Sequence, residues 1–253
     1  MSIFLLAFIA SFGINIVMFI PAFIFKTDKL TDLSYALTFI FVASAGYLQS
    51  DGGTVQLIIT CAVILWALRL GSFLFIRIRK MNKDKRFDGM RENFFKFLRF
   101  WLLQALAVWV VTLSLTSTLA SQSTGTNVYV FVGLAVFMIG LFIEAIADSQ
   151  KYVFAQSPAN KDRWIQSGLW SISRHPNYLG EILVWVGVCV MSQAVLVGSY
   201  RLYALASPLF ITLLLIFVSG IPLLEKAADN KWGNDPKYQA YKKKTAVLIP
   251  HIW

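Results

Sequence analysis

Two pairs of polar side chains stand at helical spacing beside apolar runs: Asn177 with Glu181, and Glu144 with Asp148. Residues four apart share one helix face. A face carrying carboxylates, or a carboxylate and an amide, accepts hydrogen bonds from ribose hydroxyls or from a carboxamide. Trp185 extends the Asn177 face by one more turn. A carboxylate inside a membrane costs roughly 2.5–3.5 kcal/mol on insertion scales, so each pair needs a polar cavity or a partner. Arg69 interrupts another apolar run and makes the same demand. The stretch 77–96, RIRKMNKDKRFDGMRENFFK, holds eight Lys or Arg, Arg86 among them. Guanidinium groups grip phosphates bidentately, so this loop reads as a clamp for a nucleotide. Plainer readings stand beside each of these. The loop also serves as a topology signal or a contact for anionic lipid. Glu181 can snorkel to the interface, and Arg174 or Lys151 can neutralise the Glu144–Asp148 pair.

Several chemistries are excluded. The only histidines are His175 and His251, and no CxxC or HExxH spacing occurs, which argues against a metal enzyme. Cys61 and Cys189 both lie inside apolar runs and read as core residues. No GxGxxG, P-loop or GxSxG stands in the chain, so any nucleotide is held without a Rossmann domain or P-loop.

The elements that must position these residues are membrane helices. Of the 253 residues, 57% are hydrophobic and only 14% charged, against nearly half and a quarter in an ordinary soluble domain. About 20 apolar residues span a bilayer as a helix. Seven segments approach that length: roughly 3–25, 33–48, 55–76, 97–119, 128–147, 178–198 and 202–221. The fold expected is all-α, a seven-helix polytopic membrane protein in one domain. A polar cap would come from 77–96, 148–177 and 222–253. With seven spans, twenty of the 23 Lys and Arg fall in loops on one side, and the opposite loops hold one, Arg201. By the positive-inside rule that side is the cytoplasm, with the N-terminus outside. The +10 net charge therefore reads as topology and anion binding, with no nucleic-acid partner.

Residues 148–181, DSQKYVFAQSPANKDRWIQSGLWSISRHPNYLGE, and the ending YKKKTAVLIPHIW resemble the steroid 5α-reductase family and its bacterial homologues. IPLLEK, before that ending, is similar to the bacterial branch. Sterol C14 reductases and isoprenylcysteine carboxyl methyltransferases carry stretches similar to RHPNYxGE. The resemblance implies a seven-helix fold that binds NADPH from the cytoplasm. It also implies delivery of a hydride to the β-carbon of a lipophilic enone. By position, it implies that Asn177 and Glu181 hold the nicotinamide end and that Asp148 lies near the cofactor. Arg174, His175 and Tyr178 fall in the same motif, Arg69 matches an arginine closing the third span, and Tyr241 matches a tyrosine of the tail. Lys151, Arg163, Trp164, Glu144, Arg86 and Tyr238 complete the expected cofactor set.

The family uses a Glu in the second span and a Tyr in the third to polarise the substrate carbonyl. Here Asp32 and Tyr35 are the nearest candidates, Trp66 stands where the tyrosine is expected, and Thr245 replaces a basic tail residue. The expected function is NADPH-dependent reduction of a lipid enone, a 3-oxo-Δ4 steroid or similar, by a monomer in a bacterial inner membrane. The alternatives are an S-adenosylmethionine-dependent membrane methyltransferase and a non-catalytic lipid-binding protein.

Overall fold

A computed structural model describes residues 1–81, 87–122 and 125–250. Among them the structure is all-helical, without strands: α1 (Ile3–Ile24), α2 (Lys29–Gln49), α3 (Thr54–Met81), α4 (Phe94–Val111), α5 (Leu113–Leu119), α6 (Val128–Gln156), α7 (Pro176–Ser192), α8 (Tyr200–Leu213), α9 (Ile221–Trp232) and α10 (Pro236–Lys244). Six helices among the described residues are long and apolar enough to cross a membrane, and Pro176–Ser192 is a shorter apolar one. The protein is thus a multi-pass membrane protein. Arg86 and His251 lie outside the described residues.

Two expected spans are interrupted. The segment 97–119 breaks at Thr112 into α4 and α5. The Ser207 hydroxyl donates to the Val111 carbonyl at 2.6 Å, and the Thr112 hydroxyl to Trp109 O at 2.9 Å. Side-chain donors of this kind compete with the helical ladder and bend it. The last span widens into a π-turn at Leu214–Val218 before α9 begins at Gly220–Ile221, with Pro222 in its first turn.

The chain divides into two compact units, residues 1–134 with 188–207, and 135–187 with 208–253. In the first, α1, α2 and α4 meet around a polar knot. Gln104 Nε2 donates to Asn15 Oδ1 (2.8 Å), Ser34 Oγ (2.9 Å) and Thr31 O (3.1 Å), and Asn15 Nδ2 donates to Ser11 O (2.7 Å). Between membrane helices such bonds hold elements that gain nothing from hydrophobic burial. Nearby, Phe19, Phe97 and Trp101 form an aromatic core. The buried Arg91 ties residues 87–91 to Asp28 at 3.5 Å.

In the second unit, α6 and α7 touch backbone to backbone. A Cβ on Gly180 would lie 2.5 Å from Glu144 N and 2.7 Å from Gly140 O, and one on Gly140 would lie 2.6 Å from Val184 N. Only hydrogen fits at either position, the small-residue packing of membrane helices. Pro176 opens α7, where its missing N–H costs nothing; the His175 carbonyl accepts from Tyr178 N (3.1 Å) and Leu179 N (3.2 Å). Gly180→Val should therefore force the helices apart and destabilise the protein by about 1–3 kcal/mol or more. Gly13→Ala, which meets nothing within 4 Å, should leave stability close to wild type. Thermal melts in detergent measure both; equal melting temperatures for the two variants would contradict the close crossing.

Candidate functional site

The glycine crossing sets the site. It brings the backbone of Glu144 against Gly180, whose next residue is Glu181. The Glu144–Asp148 face of α6 and the Asn177–Glu181 face of α7 therefore belong to two helices in direct contact. Glu144 is 2% exposed and Asp148 8%, while Asn177, Tyr178 and Glu181 are half-buried.

Below the crossing, the loop 157–175 folds back on α6. Trp170 is buried, its indole N–H donates to Ala147 O at 3.0 Å, and the Lys151 ammonium lies 4.5 Å from the centre of its ring. Gly168 takes a left-handed φ of 60° and packs directly on the Gln150 side chain, whose Oε1 accepts from Leu169 N at 3.0 Å. A side chain at Gly168 would meet both obstacles.

The tail completes the unit. Arg174 N donates to Ala246 O (2.8 Å), Ser173 Oγ to Leu248 O (2.8 Å) and Tyr241 Oη to Trp170 O (2.8 Å). Asp235 caps α10 by accepting from Lys237 N at 2.8 Å, and Lys242, Lys243 and Lys244 in the last turn complement the helix dipole. Trp164, Trp232 and Tyr238 form an aromatic cluster, with ring centres 5.2–5.9 Å apart. Burial pushes the Tyr238 hydroxyl up to about 12 and raises that of Tyr241 as well. Both phenols therefore stay neutral at physiological pH, and Tyr241 remains a hydrogen-bond donor.

A residue not expected from sequence sits at the centre. Glu225, on α9, accepts from Arg174 Nη1 at 2.7 Å through Oε2 and meets His175 Nε2 at 2.9 Å through Oε1; Lys242 Nζ lies 3.4 Å away. Its signal was present in IPLLEK, a lone acid closing an apolar run ahead of a basic tail. The tautomer of His175 follows from this contact. With Nε2–H given to the carboxylate, the neutral ring keeps its lone pair on Nδ1. Burial of His175, 4% exposed, lowers its pKa despite the opposing effect of its hydrogen bond to Glu225.

Four side-chain atoms here are buried and unpartnered: His175 Nδ1, Asn177 Oδ1, Arg174 Nε and Trp164 Nε1. The first two accept and the last two donate. Buried polar atoms seldom go unpaired unless something else meets them.

The expected site residues thus separate by unit. Glu144, Asp148, Lys151, Arg163, Trp164, Arg174, His175, Asn177, Tyr178, Glu181, Tyr238 and Tyr241 all belong to the second; Lys151 and Arg163 are exposed there. Asp32, Tyr35, Trp66 and Arg69 belong to the first. Asp32 pairs with Arg77 at 3.7 Å. Tyr35, Phe39 and Trp66 form an edge-to-face aromatic box, with Trp66 fully buried. Arg69 lies over Phe73, 5.8 Å from its ring centre.

The family model described as protein of unknown function (DUF1295) matches residues 18–245. The chain belongs to this family. Among curated relatives, a probable O-methyltransferase, ustE, of Ustilaginoidea virens is 32% identical over 85 residues, covering 34% of this chain and 30% of that protein. An uncharacterized protein, C594.04c, of Schizosaccharomyces pombe is 24% identical over 156 residues, 53% of this chain and 42% of that one. The chain thus spans under half the length of either relative. No solved structure matches significantly.

Two measurements check the Glu225 node. Glu225→Gln should cost about 1–3 kcal/mol by weakening charge-assisted hydrogen bonds to Arg174 and His175. The depressed pKa of His175 also predicts a pH dependence. Above the usual imidazole value of 6.5 the ring is neutral whether folded or unfolded, and its contribution to stability is complete. Below 6.5 the unfolded chain binds the proton first, so stability falls until the folded pKa is passed. Melting temperatures should drop as the pH falls below 6.5, and drop less in His175→Gln; parallel curves would contradict the buried neutral ring.

Proposed function

We propose that this protein is a membrane enzyme whose second unit holds NADPH and which reduces the C=C bond of a lipophilic α,β-unsaturated ketone. The observation that carries the reading is the set of buried, unpartnered polar atoms beside the Glu144–Asp148 and Asn177–Glu181 faces. Acceptors at Asn177 Oδ1 and His175 Nδ1 suit a carboxamide N–H and ribose hydroxyls. Donors at Trp164 Nε1 and Arg174 Nε suit carbonyl or phosphate oxygens, and the exposed Arg163 and Lys151 suit a 2′-phosphate. The donor and acceptor set therefore fits the cofactor, which when bound supplies the hydride. Glu225 fixes Arg174 and His175 in register with α7, and Glu181 and Asp148 orient what lies between them.

On the substrate side, Tyr35 is the group to donate a hydrogen bond to the enone oxygen and stabilise the charge that develops there. Asp32 stands three residues before it on α2 and is held by Arg77. Phe39 and Trp66 keep water from that oxygen. In this reading the basic loops face the cytoplasm, the N-terminus lies outside, and the substrate is a 3-oxo-Δ4 steroid or a similar lipid enone.

A second reading, S-adenosylmethionine-dependent methyl transfer, is favoured by the relative named as a probable O-methyltransferase. That cofactor also offers an amino group and a ribose diol to the two acceptors. It carries no phosphate, so under that reading the surplus of Arg and Lys serves only topology and contact with anionic lipid.

Thermal stabilisation of the detergent-purified protein distinguishes the two, since a ligand that binds only the folded state raises its melting temperature. NADPH should stabilise the wild type, and Asp148→Asn or Glu181→Gln should lower its affinity by about tenfold, the loss of one hydrogen bond to a charged group. Stabilisation by S-adenosylmethionine alone would replace this reading with the second.

A further inference from the structure

The first unit carries a groove of about 410 Å³ between α1 and α4. Phe12 of α1 and four leucines of α4 (Leu98, Leu102, Leu103 and Leu106) line it, with Phe95 and Arg99 toward one end. Phe95 is 79% and Leu103 54% exposed, so the groove opens outward, which in a membrane means toward lipid.

Aromatic contacts fix its direction and length. Phe23 of α1 meets Phe94 of α4 at 5.2 Å, and Phe8 meets Trp109 at 5.3 Å, so the two helices run antiparallel. The ring of Phe12 lies 4.7 Å from that of Phe8 and lines the groove together with Leu106. Aromatic rings therefore stop the groove at its deep end, and the Phe95 end is its mouth. From Phe95 to Leu106 the helix rises about 16 Å. The hydrocarbon of one leaflet is about 15 Å deep, half of a core of about 30 Å. The groove thus runs the depth of a single leaflet.

Its mouth is basic. Among the described residues, neither the Arg99 guanidinium nor the Lys96 ammonium has a hydrogen-bond or ion-pair partner, and both side chains are exposed. The first turn of α4 holds no acidic residue, and two cations near a helix N-terminus oppose its dipole. Glu92, ahead of the Asn93 cap, is exposed and pairs with neither of them. An arginine between Leu98 and Leu102, facing lipid, needs an anion or must snorkel. Side chains lean toward the start of their helix, so Arg99 reaches back toward the mouth and the headgroup level. An arginine that served topology alone would account for the charge but not for the groove beside it.

We propose that this groove binds one acyl chain of an anionic phospholipid, whose phosphate is held by Arg99 and Lys96. The apolar walls fit a hydrocarbon chain, the length fits one leaflet, and the unpaired cations at the mouth fit a phosphate. A soluble phosphate would leave the apolar length unused. A two-fold dimer on this face would set Arg99 against Arg99 and meet like charge. The proposal is independent of the cofactor, which belongs to the second unit.

The test uses the full-length protein, delipidated in a maltoside detergent. The probes are phosphatidylglycerol, phosphatidylcholine with the same chains, and glycerol phosphate, which has no chain. Affinities come from the concentration dependence of thermal stabilisation. The wild type should prefer phosphatidylglycerol over phosphatidylcholine by about tenfold, the worth of one charge-assisted hydrogen bond. Glycerol phosphate should not stabilise it. Arg99→Gln should lose the preference, whereas Lys243→Gln, which removes an exposed charge from α10, should keep it. Leu102→Trp, which fills the groove, should weaken both lipids. A wild type indifferent to the headgroup would overturn the proposal, and so would an Arg99→Gln variant that keeps the preference. Stabilisation by glycerol phosphate equal to that by the lipid would assign the cations to a soluble phosphate instead. A dimer by size-exclusion chromatography that Leu102→Trp dissociates would put a second copy on this face and overturn the lipid. Should Leu102→Trp fail to fold, Arg99→Gln against Lys243→Gln decides the matter alone.

Discussion

Contact between two backbones governs the second unit. Where α6 and α7 cross, Gly140 and Gly180 leave no room for a side chain, and the helices close to the distance of their own peptide groups. Such a crossing fixes rotation as well as separation, because a slide along either helix would drive a Cβ into the other. The carboxylates of α6 and the amide and carboxylate of α7 inherit that precision without a bond of their own. A loop could carry the same residues, but it would not hold two helix faces in one register. The polar groups thus take their positions from the least polar residues nearby.

Charge then secures what shape has placed. Glu225 gathers an arginine, a histidine and a lysine from elements distant in sequence, and this holds the start of α7 against α9 and α10. The pair formed by Arg174 and His175 is useful because one carboxylate serves both. It neutralises the guanidinium, and it decides which ring nitrogen of the imidazole keeps a lone pair. Removing that carboxylate would release two directed groups at once. The phenols of Tyr238 and Tyr241, neutral over the whole physiological range, add packing and donors that pH does not disturb.

Much of this was legible in the residues alone. Hydropathy located the helices, because a bilayer requires about 20 apolar residues whatever the fold. Helical spacing joined Glu144 to Asp148 and Asn177 to Glu181. Pro176 announced the start of α7. Less was legible where partners lie far apart in the chain. Glu225 stands 50 residues from His175, and nothing local to IPLLEK indicates which cations it will meet. The break at Thr112 has no local signature, because the Ser207 hydroxyl that meets the Val111 carbonyl comes from another helix 96 residues on. Gly140 and Gly180 are ordinary glycines until two helices are laid together. The charged pieces between the apolar runs suggested a polar cap, the resemblance to steroid 5α-reductases suggested the cofactor, and the family shown is DUF1295.

The stitching of the tail onto the loop before α7 also has a consequence for the order in which the protein is made. Ser173 finds its acceptor at Leu248, and Arg174 its own at Ala246. Every membrane helix precedes those acceptors in the chain and is synthesised before them. During synthesis Arg174 and His175 lack Glu225 until α9 is made. The helices are therefore made first, and the hydrogen bonds around Arg174, His175 and Ser173 are closed last.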